Sequence, residues 1–237
     1  LYGVWKQYRT VKIYLDPGGE SVQIRLYKGG TSDITLPVRA GYSVEGFYRS
    51  NTFSGNPIGT PTFESSPDVL YLKWKAVTYT VRFETGTDER FASLDYTVEG
   101  GVALPTPQRD NYIFLGWCKQ QDCTDTPILE IPKGMVEVEV LYAKYRGEDR
   151  TILLNAGEGS LSDNELLVEY GAVYTLPVPV RSGYVFIGWF TEPDEAGTCL
   201  TDKNGNGNSP WNDTDSSTTL YAAYRKKVYV NIQITPD

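Results

Sequence analysis

The chain has 237 residues, with 30 acidic against 22 basic side chains, a net charge of −8 and a pI near 4.7. An acidic balance argues against a nucleic-acid partner, which would require a basic face. No run approaches the ~20 apolar residues of a membrane-spanning helix, so membrane insertion is not expected. Histidine is absent, which removes Ser-His-Asp and Cys-His mechanisms and any His-ligated zinc site.

The first fifteen residues, LYGVWKQYRTVKIYL, contain a phrase that returns. LYLKW starts at Leu70, LYAKY at Leu141 and LYAAY at Leu220, so successive Leu-Tyr pairs stand 69, 71 and 79 residues apart. Self-similarity at a fixed period marks a repeat array. Residues 1–7 therefore read as the closing strand of a preceding repeat. Three full repeats follow at 8–76, 77–147 and 148–227, and 228–237 reads as the opening strand of the next. A piece of a longer array is expected, with terminal strands that extend existing sheets or pair with another copy.

Within a repeat the elements come in a constant order. An opening strand alternates, with Val11, Ile13 and Leu15 on one face and Lys12 and Tyr14 on the other; Val81 and Phe83 flank Arg82 in the same way. Asp16-Pro17-Gly18-Gly19 is a turn by composition. A second strand follows at Val22 or Leu166, then turn glycines at Gly29-Gly30, Gly100-Gly101 and Gly171, and a Leu-Pro pair at Leu36, Leu104 and Leu176. The third strand holds an aromatic–Gly–aromatic phrase: GYSVEGFY from Gly41, NYIFLGWC from Asn111, GYVFIGWF from Gly183. Its inner glycine (Gly46, Gly116, Gly188) predicts a bulge or a close backbone approach. A variable polar loop, with room for at most one short helix, leads to the closing strand.

These landmarks resemble the Listeria–Bacteroides repeat, the family of the internalin B-repeats. GYVFIGWF, LYAAYRK and VEYGAVYTLP (168–177) carry the likeness, and GYSVEGFY of the first repeat, which lacks the tryptophan, departs most from it. The resemblance implies mostly β, compact β-grasp-like modules of about 70 residues in an elongated array. It also implies an extracellular setting, on a bacterial surface or secreted. Such repeats serve as spacers or adhesive interaction modules; no catalytic residues come with them, and no enzyme is expected. A host or neighbouring-cell surface protein or a glycan is the partner class implied.

Binding would fall to the variable loops between third and closing strands. The third repeat's loop is the longest, and Asp202, Asn204, Asn206, Gly207 and Asp213 fit the spacing of an EF-hand-type calcium loop, with Asn208 beside them as a further oxygen donor. Against this, the flanks are not helical, position eight is Ser209 and position twelve is Asp213 rather than Glu; a polar Asn/Gly turn explains the same residues. Calcium is the one cofactor this pattern suggests. Trp211 is the one off-pattern tryptophan, a candidate exposed aromatic for glycan stacking or else a side chain packed over the base of its loop. Asp88-Glu89 and Asp194-Glu195 are adjacent acids on turns and do not span a glycosidase cleft. Cys118 and Cys123 are close enough for a local disulfide in an oxidising compartment, leaving Cys199 over.

Overall fold

The computed structural model describes residues 5–30 and 34–229. The terminal-strand readings of 1–7 and 228–237 lie largely outside these residues; the described parts, 5–7 and 228–229, carry no strand. Strand makes up 43% of the described residues, and the one helical element among them is a 3₁₀ turn at Pro193–Glu195, in the loop before a closing strand. The chain is therefore mostly β, built as a tandem of small sheets.

Contacts divide it into two compact units, residues 1–84, 90–105 and 119–142 in one, residues 85–89, 106–118 and 143–237 in the other. In the first unit, β1 (Tyr8–Tyr14) and β2 (Ser21–Tyr27) form an antiparallel hairpin with Tyr8 opposite Tyr27. Pro17 and Gly18 (φ 78°) turn the chain between them, and the Gly19 N–H donates to the Asp16 carbonyl at 3.1 Å, a type II arrangement. β3 (Tyr42–Tyr48) pairs antiparallel with β4 (Val69–Ala76), and β4 lies parallel to β1, giving the order β2-β1-β4-β3. Val11, Ile13, Ile24, Leu26, Leu70 and Leu72 project from this sheet into one core, as their alternation predicts. Irregular segments cover that core through Ile34, Leu36, Ile58 and Phe63.

The second repeat supplies β5 (Tyr79–Glu84), β6 (Leu94–Tyr96), β7 (Val102–Ala103), β8 (Tyr112–Cys118), β9 (Glu130–Ile131) and β10 (Val140–Gly147). Its strands fall in both units, the division passing between Tyr142 and Ala143 of β10. The start of β10 runs parallel to β5 in the first unit, where β5 also pairs with β6 and β7 with β9. The rest of β10 belongs with β8 in the second unit. β6 is short, and the buried Tyr96 at its end accepts the Val138 N–H on its hydroxyl at 2.8 Å.

The second unit also contains β11 (Asp149–Asn155), β12 (Glu165–Glu169), β13 (Tyr184–Phe190) and β14 (Ser217–Lys226), in the order β12-β11-β14-β13. This repeats the pattern of the first sheet, with β11 and β14 parallel and both outer pairs antiparallel. Ile152, Leu154, Val168, Phe186, Trp189 and Leu220 form its core. Small modules bury a limited share of their surface, and the large rings of Trp189 and Phe186, 5.6 Å apart edge to face, compensate here.

At Gly46 and Gly188 the glycine inside the third strand makes the bulge that was expected. Register shifts between Val44 and Gly46 in β3 and between Phe186 and Gly188 in β13. A Cβ on Gly188 would stand 2.6 Å from the Thr201 carbonyl oxygen and 2.8 Å from Cys199 Sγ. Backbone cannot give way cheaply, so Gly188→Ala is expected to destabilise the chain by about 1–3 kcal/mol in urea unfolding. Gly59→Ala, whose added carbon meets nothing within 4 Å, is expected to stay within roughly 0.5 kcal/mol of the native chain. Equal effects would show that the bulge is not a tight contact.

Candidate functional site

The start of every third strand is a four-residue turn, Arg-x-Gly/Asn-Tyr. The N–H of Tyr42, Tyr112 and Tyr184 donates to the carbonyl of Arg39, Arg109 and Arg181 at 3.0, 3.1 and 3.2 Å. The third turn residue is left-handed each time, Gly41 at φ 78°, Asn111 at 65° and Gly183 at 76°, which explains the restriction to glycine and asparagine. Its carbonyl accepts the N–H of the residue just past the closing strand: Val77 at 2.9 Å, Glu148 at 2.9 Å and Lys227 at 2.8 Å. The arginine guanidinium lies over the ring of that tyrosine at 4.1, 3.9 and 3.9 Å. A second ring, Trp74, Tyr145 or Tyr224, lies at 5.9, 5.5 and 5.3 Å, within cation–π range.

What covers these turns differs along the chain. Gly41 is buried, and a Cβ there would stand 2.2 Å from Val98 Cγ1 and 3.1 Å from Val136 Cγ1 of the second repeat. Between the second and third repeats one residue, Glu148, links β10 to β11. Asn111 Oδ1 accepts a bond from Arg150 at 2.8 Å, and Arg150 pairs with Glu148 at 2.9 Å. Tyr112 meets Tyr170 edge to face at 5.5 Å, and the Gly147 N–H donates to Glu169 Oε1 at 2.8 Å. Arg150 is only 8% exposed, so its charge depends on these partners.

The long loop of the third repeat spends its polar groups on itself. Asp202 Oδ1 accepts the N–H groups of Asn204 and Asn206 at 2.8 and 2.9 Å, and Oδ2 accepts their side-chain amides at 3.4 and 3.2 Å. The left-handed turn falls at Gly205 (φ 83°) rather than at Gly207, and a Cβ on Gly205 would stand 2.0 Å from the Leu176 carbonyl oxygen. Asn206 Oδ1 accepts the Thr175 hydroxyl, and Asn208 donates to the Cys199 carbonyl at 2.9 Å. Asp213 serves a different turn, accepting the Asp215 N–H at 3.1 Å and the Thr218 hydroxyl at 2.6 Å. Among the described residues no three acidic or cysteine side chains gather at metal-binding spacing. Partial desolvation pushes the Asp202 carboxyl up, but the bonds donated by Asn206 and Asn204 outweigh it and hold the group below its ordinary value.

Trp211, 3% exposed, packs into the third core and meets Tyr174 edge to face at 5.4 Å. Glu89 accepts the Gln108 N–H at 2.8 Å, and Glu195 pairs with Arg225, so both acid pairs sit in surface turns. All three cysteines remain thiols. The arginine turn was not foreseen, although Arg-x-Gly/Asn-Tyr recurs at 39, 109 and 181; alignment of the third-strand phrases two residues further back would have found it.

The Listeria-Bacteroides repeat domain model matches residues 79–144 and 151–223. The chain belongs to that family. The first repeat lies outside the match, yet its sheet has the same strand order as the third. Two longer proteins of Evansella cellulosilytica are similar. One, named "Putative membrane protein", is 28% identical over 217 residues, covering 83% of this chain and 31% of the relative. The other, named "Putative Gly-rich membrane protein", is 26% identical over 198 residues, covering 81% of this chain and 22% of the relative. The chain thus spans less than a third of either. No described helix is long and apolar enough to cross a membrane.

Two outcomes follow. Arg150→Ala is expected to cost about 1–3 kcal/mol in chemical unfolding, since it removes a buried hydrogen bond and an ion pair. Arg146→Ala, which loses a half-exposed pair with Asp149 at 3.2 Å, is expected to cost less than about 1 kcal/mol; a reversed order would discredit the inter-repeat lock. For Asp202, a lowered carboxyl contributes stability that is present above its ordinary pKa and lost as pH falls through the lowered value. The Asn204 and Asn206 amide resonances are expected to titrate together with a midpoint below 3.8, with or without calcium. If their ordering appeared only on adding calcium, the loop would be a cation site instead.

Proposed function

We propose that the chain is a non-enzymatic spacer of a bacterial surface or secreted protein, its repeats holding other parts of that protein away from the cell. Family membership and the membrane-protein names of the two relatives support this setting. The observation that carries the spacer role is the linkage between repeats. Two residues, Val77 and Thr78, separate β4 from β5, and one, Glu148, separates β10 from β11. Each linkage is bonded to the turn ahead of the preceding third strand, and that turn meets the following repeat, Gly41 at Val98 and Asn111 at Arg150. Links this short, with side chains interlocked across them, restrict relative motion in a way that a flexible linker does not.

A second role is favoured by the long loop of the third repeat, which is ordered by its own hydrogen bonds and borders a cleft. It supports binding of a surface protein or a glycan by the loops between third and closing strands. Pairing of terminal strands with a second copy is a separate proposal and concerns residues largely outside those described.

Solution scattering tests the spacer. Inserting a Gly-Ser-Gly-Ser segment after Glu148 is expected to broaden the interatomic distance distribution relative to the native chain. Coincident profiles would mean that the native repeats already move freely, and the spacer reading would fall.

A further inference from the structure

The extra length of the third repeat does more than lengthen a loop. It encloses a cleft of about 360 Å³ within that repeat, at the small end of the range for small-molecule sites. Its inner part is Trp211, buried, with Tyr174 and Leu200, half-buried; Thr198, Ser209, Pro210 and Asn212 at the mouth are exposed.

The walls are held in place by bonds of their own. Tyr174 donates its hydroxyl to the Leu200 carbonyl at 3.0 Å, and the Trp211 N–H and carbonyl bond to Ala172 and Gly171 at 2.9 and 2.7 Å. Thr191, also lining the cleft, accepts the Thr198 N–H on its hydroxyl at 2.9 Å. Asp213 is fixed by Asp215 and Thr218, and each of its oxygens still has a lone pair to offer.

Several polar groups are left for a ligand. Among the described residues the Ser209 hydroxyl, the Thr198 hydroxyl and the Asn212 amide make no bond to protein. The indole Nε1–H of Trp211 is buried and has no partner, and a buried donor without an acceptor is costly. No Lys or Arg lines the cleft, so nothing there would neutralise an anion, and its polar mouth does not suit an acyl chain. Short alcohol, amide and carboxylate groups around an aromatic and aliphatic base match a ring with hydroxyls at its edge and C–H groups on its face.

We propose that this cleft binds a neutral saccharide unit. The proposal gives the loop-binding role its ligand class and rests on that reading; it does not depend on the spacer role.

The test uses the full chain labelled with ¹⁵N. Of the five tryptophan indole resonances, that of Trp211 is assigned by its loss in Trp211→Phe. Glucose, galactose, mannose and N-acetylglucosamine are added singly to roughly 50 mM, a range that reveals weak binding. At least one sugar is expected to shift the Trp211 indole resonance saturably while the other four stay in place. Ser209→Ala and Asn212→Ala, both at exposed positions, are expected to keep the fold and weaken binding by roughly three- to tenfold each. Absence of a saturable shift with every sugar, or a shift indifferent to both variants, overturns the proposal. Choline chloride moving the resonance where sugars do not would also overturn it, while leaving loop binding itself standing.

Discussion

One backbone hydrogen bond recurs where each repeat ends. The carbonyl of a left-handed residue ahead of the third strand accepts the N–H just past the closing strand, at Gly41–Val77, Asn111–Glu148 and Gly183–Lys227. It extends an antiparallel ladder by one step, so the chain leaves every repeat in a direction set by its own third strand. An arginine stacked on the strand's first tyrosine lies over this turn. A single such bond contributes about 1 kcal/mol and a cation–π contact about 0.5–1 kcal/mol, modest alone. Their importance lies in position, because one or two residues later the opening strand of the next repeat must begin.

The sheets around these turns are small and have no helix across them among the described residues. Their cores are closed by irregular segments, which bring fewer apolar side chains per residue than an amphipathic helix would. Rings make up the difference. Trp189, fully buried, donates its indole N–H to the Pro177 carbonyl at 3.0 Å, and Trp74 donates to the Leu15 carbonyl at 2.9 Å. Each ring packs in its core, and the bond from Trp189 fastens a covering segment to the sheet while that from Trp74 reaches the end of the opening strand. The bulge at Gly46 and Gly188 belongs to the same solution, since it lets a loop approach the strand where a Cβ would obstruct it, through the Pro57 ring at Gly46 and the Thr201 carbonyl at Gly188.

Much of this was legible from period and alternation. The opening strand's Val11, Ile13 and Leu15, the closing Leu-Tyr phrases and the inner glycine of the third strand all behave as their patterns require, because burial on one sheet face leaves a direct trace in residue order. The arginine turn left a recurrence, Arg-x-Gly/Asn-Tyr, but no burial pattern to give it a role. Its arginines are polar and two of the three are exposed, and their role arises only once a positive φ at Gly41, Asn111 or Gly183 folds the guanidinium back over the tyrosine. The long loop was legible in part. Asp202, Asn204 and Asn206 do form one tight turn, but a spacing rule could not place the sharp bend at Gly205 instead of Gly207. The burial of Trp211 was one of two open readings, and only the contact with Tyr174 decides it.

The junctions also show why these repeats are not equivalent copies. Val98 occupies the space that a Cβ on Gly41 would need, so the first turn must be glycine for the second repeat to seat. At the next junction the turn residue is asparagine, and its side chain is used: Asn111 holds Arg150, which holds Glu148, the single residue between the strands. Exchanging the two turn residues would crowd the first junction and leave a buried guanidinium short of a partner at the second. The order of the repeats is therefore written into pairs of residues that meet across each boundary, one from the turn ahead of a repeat's third strand (Gly41, Asn111) and one from the repeat that follows (Val98 just after its second strand, Arg150 in its opening strand), and a family resemblance shared by all the modules does not make them interchangeable.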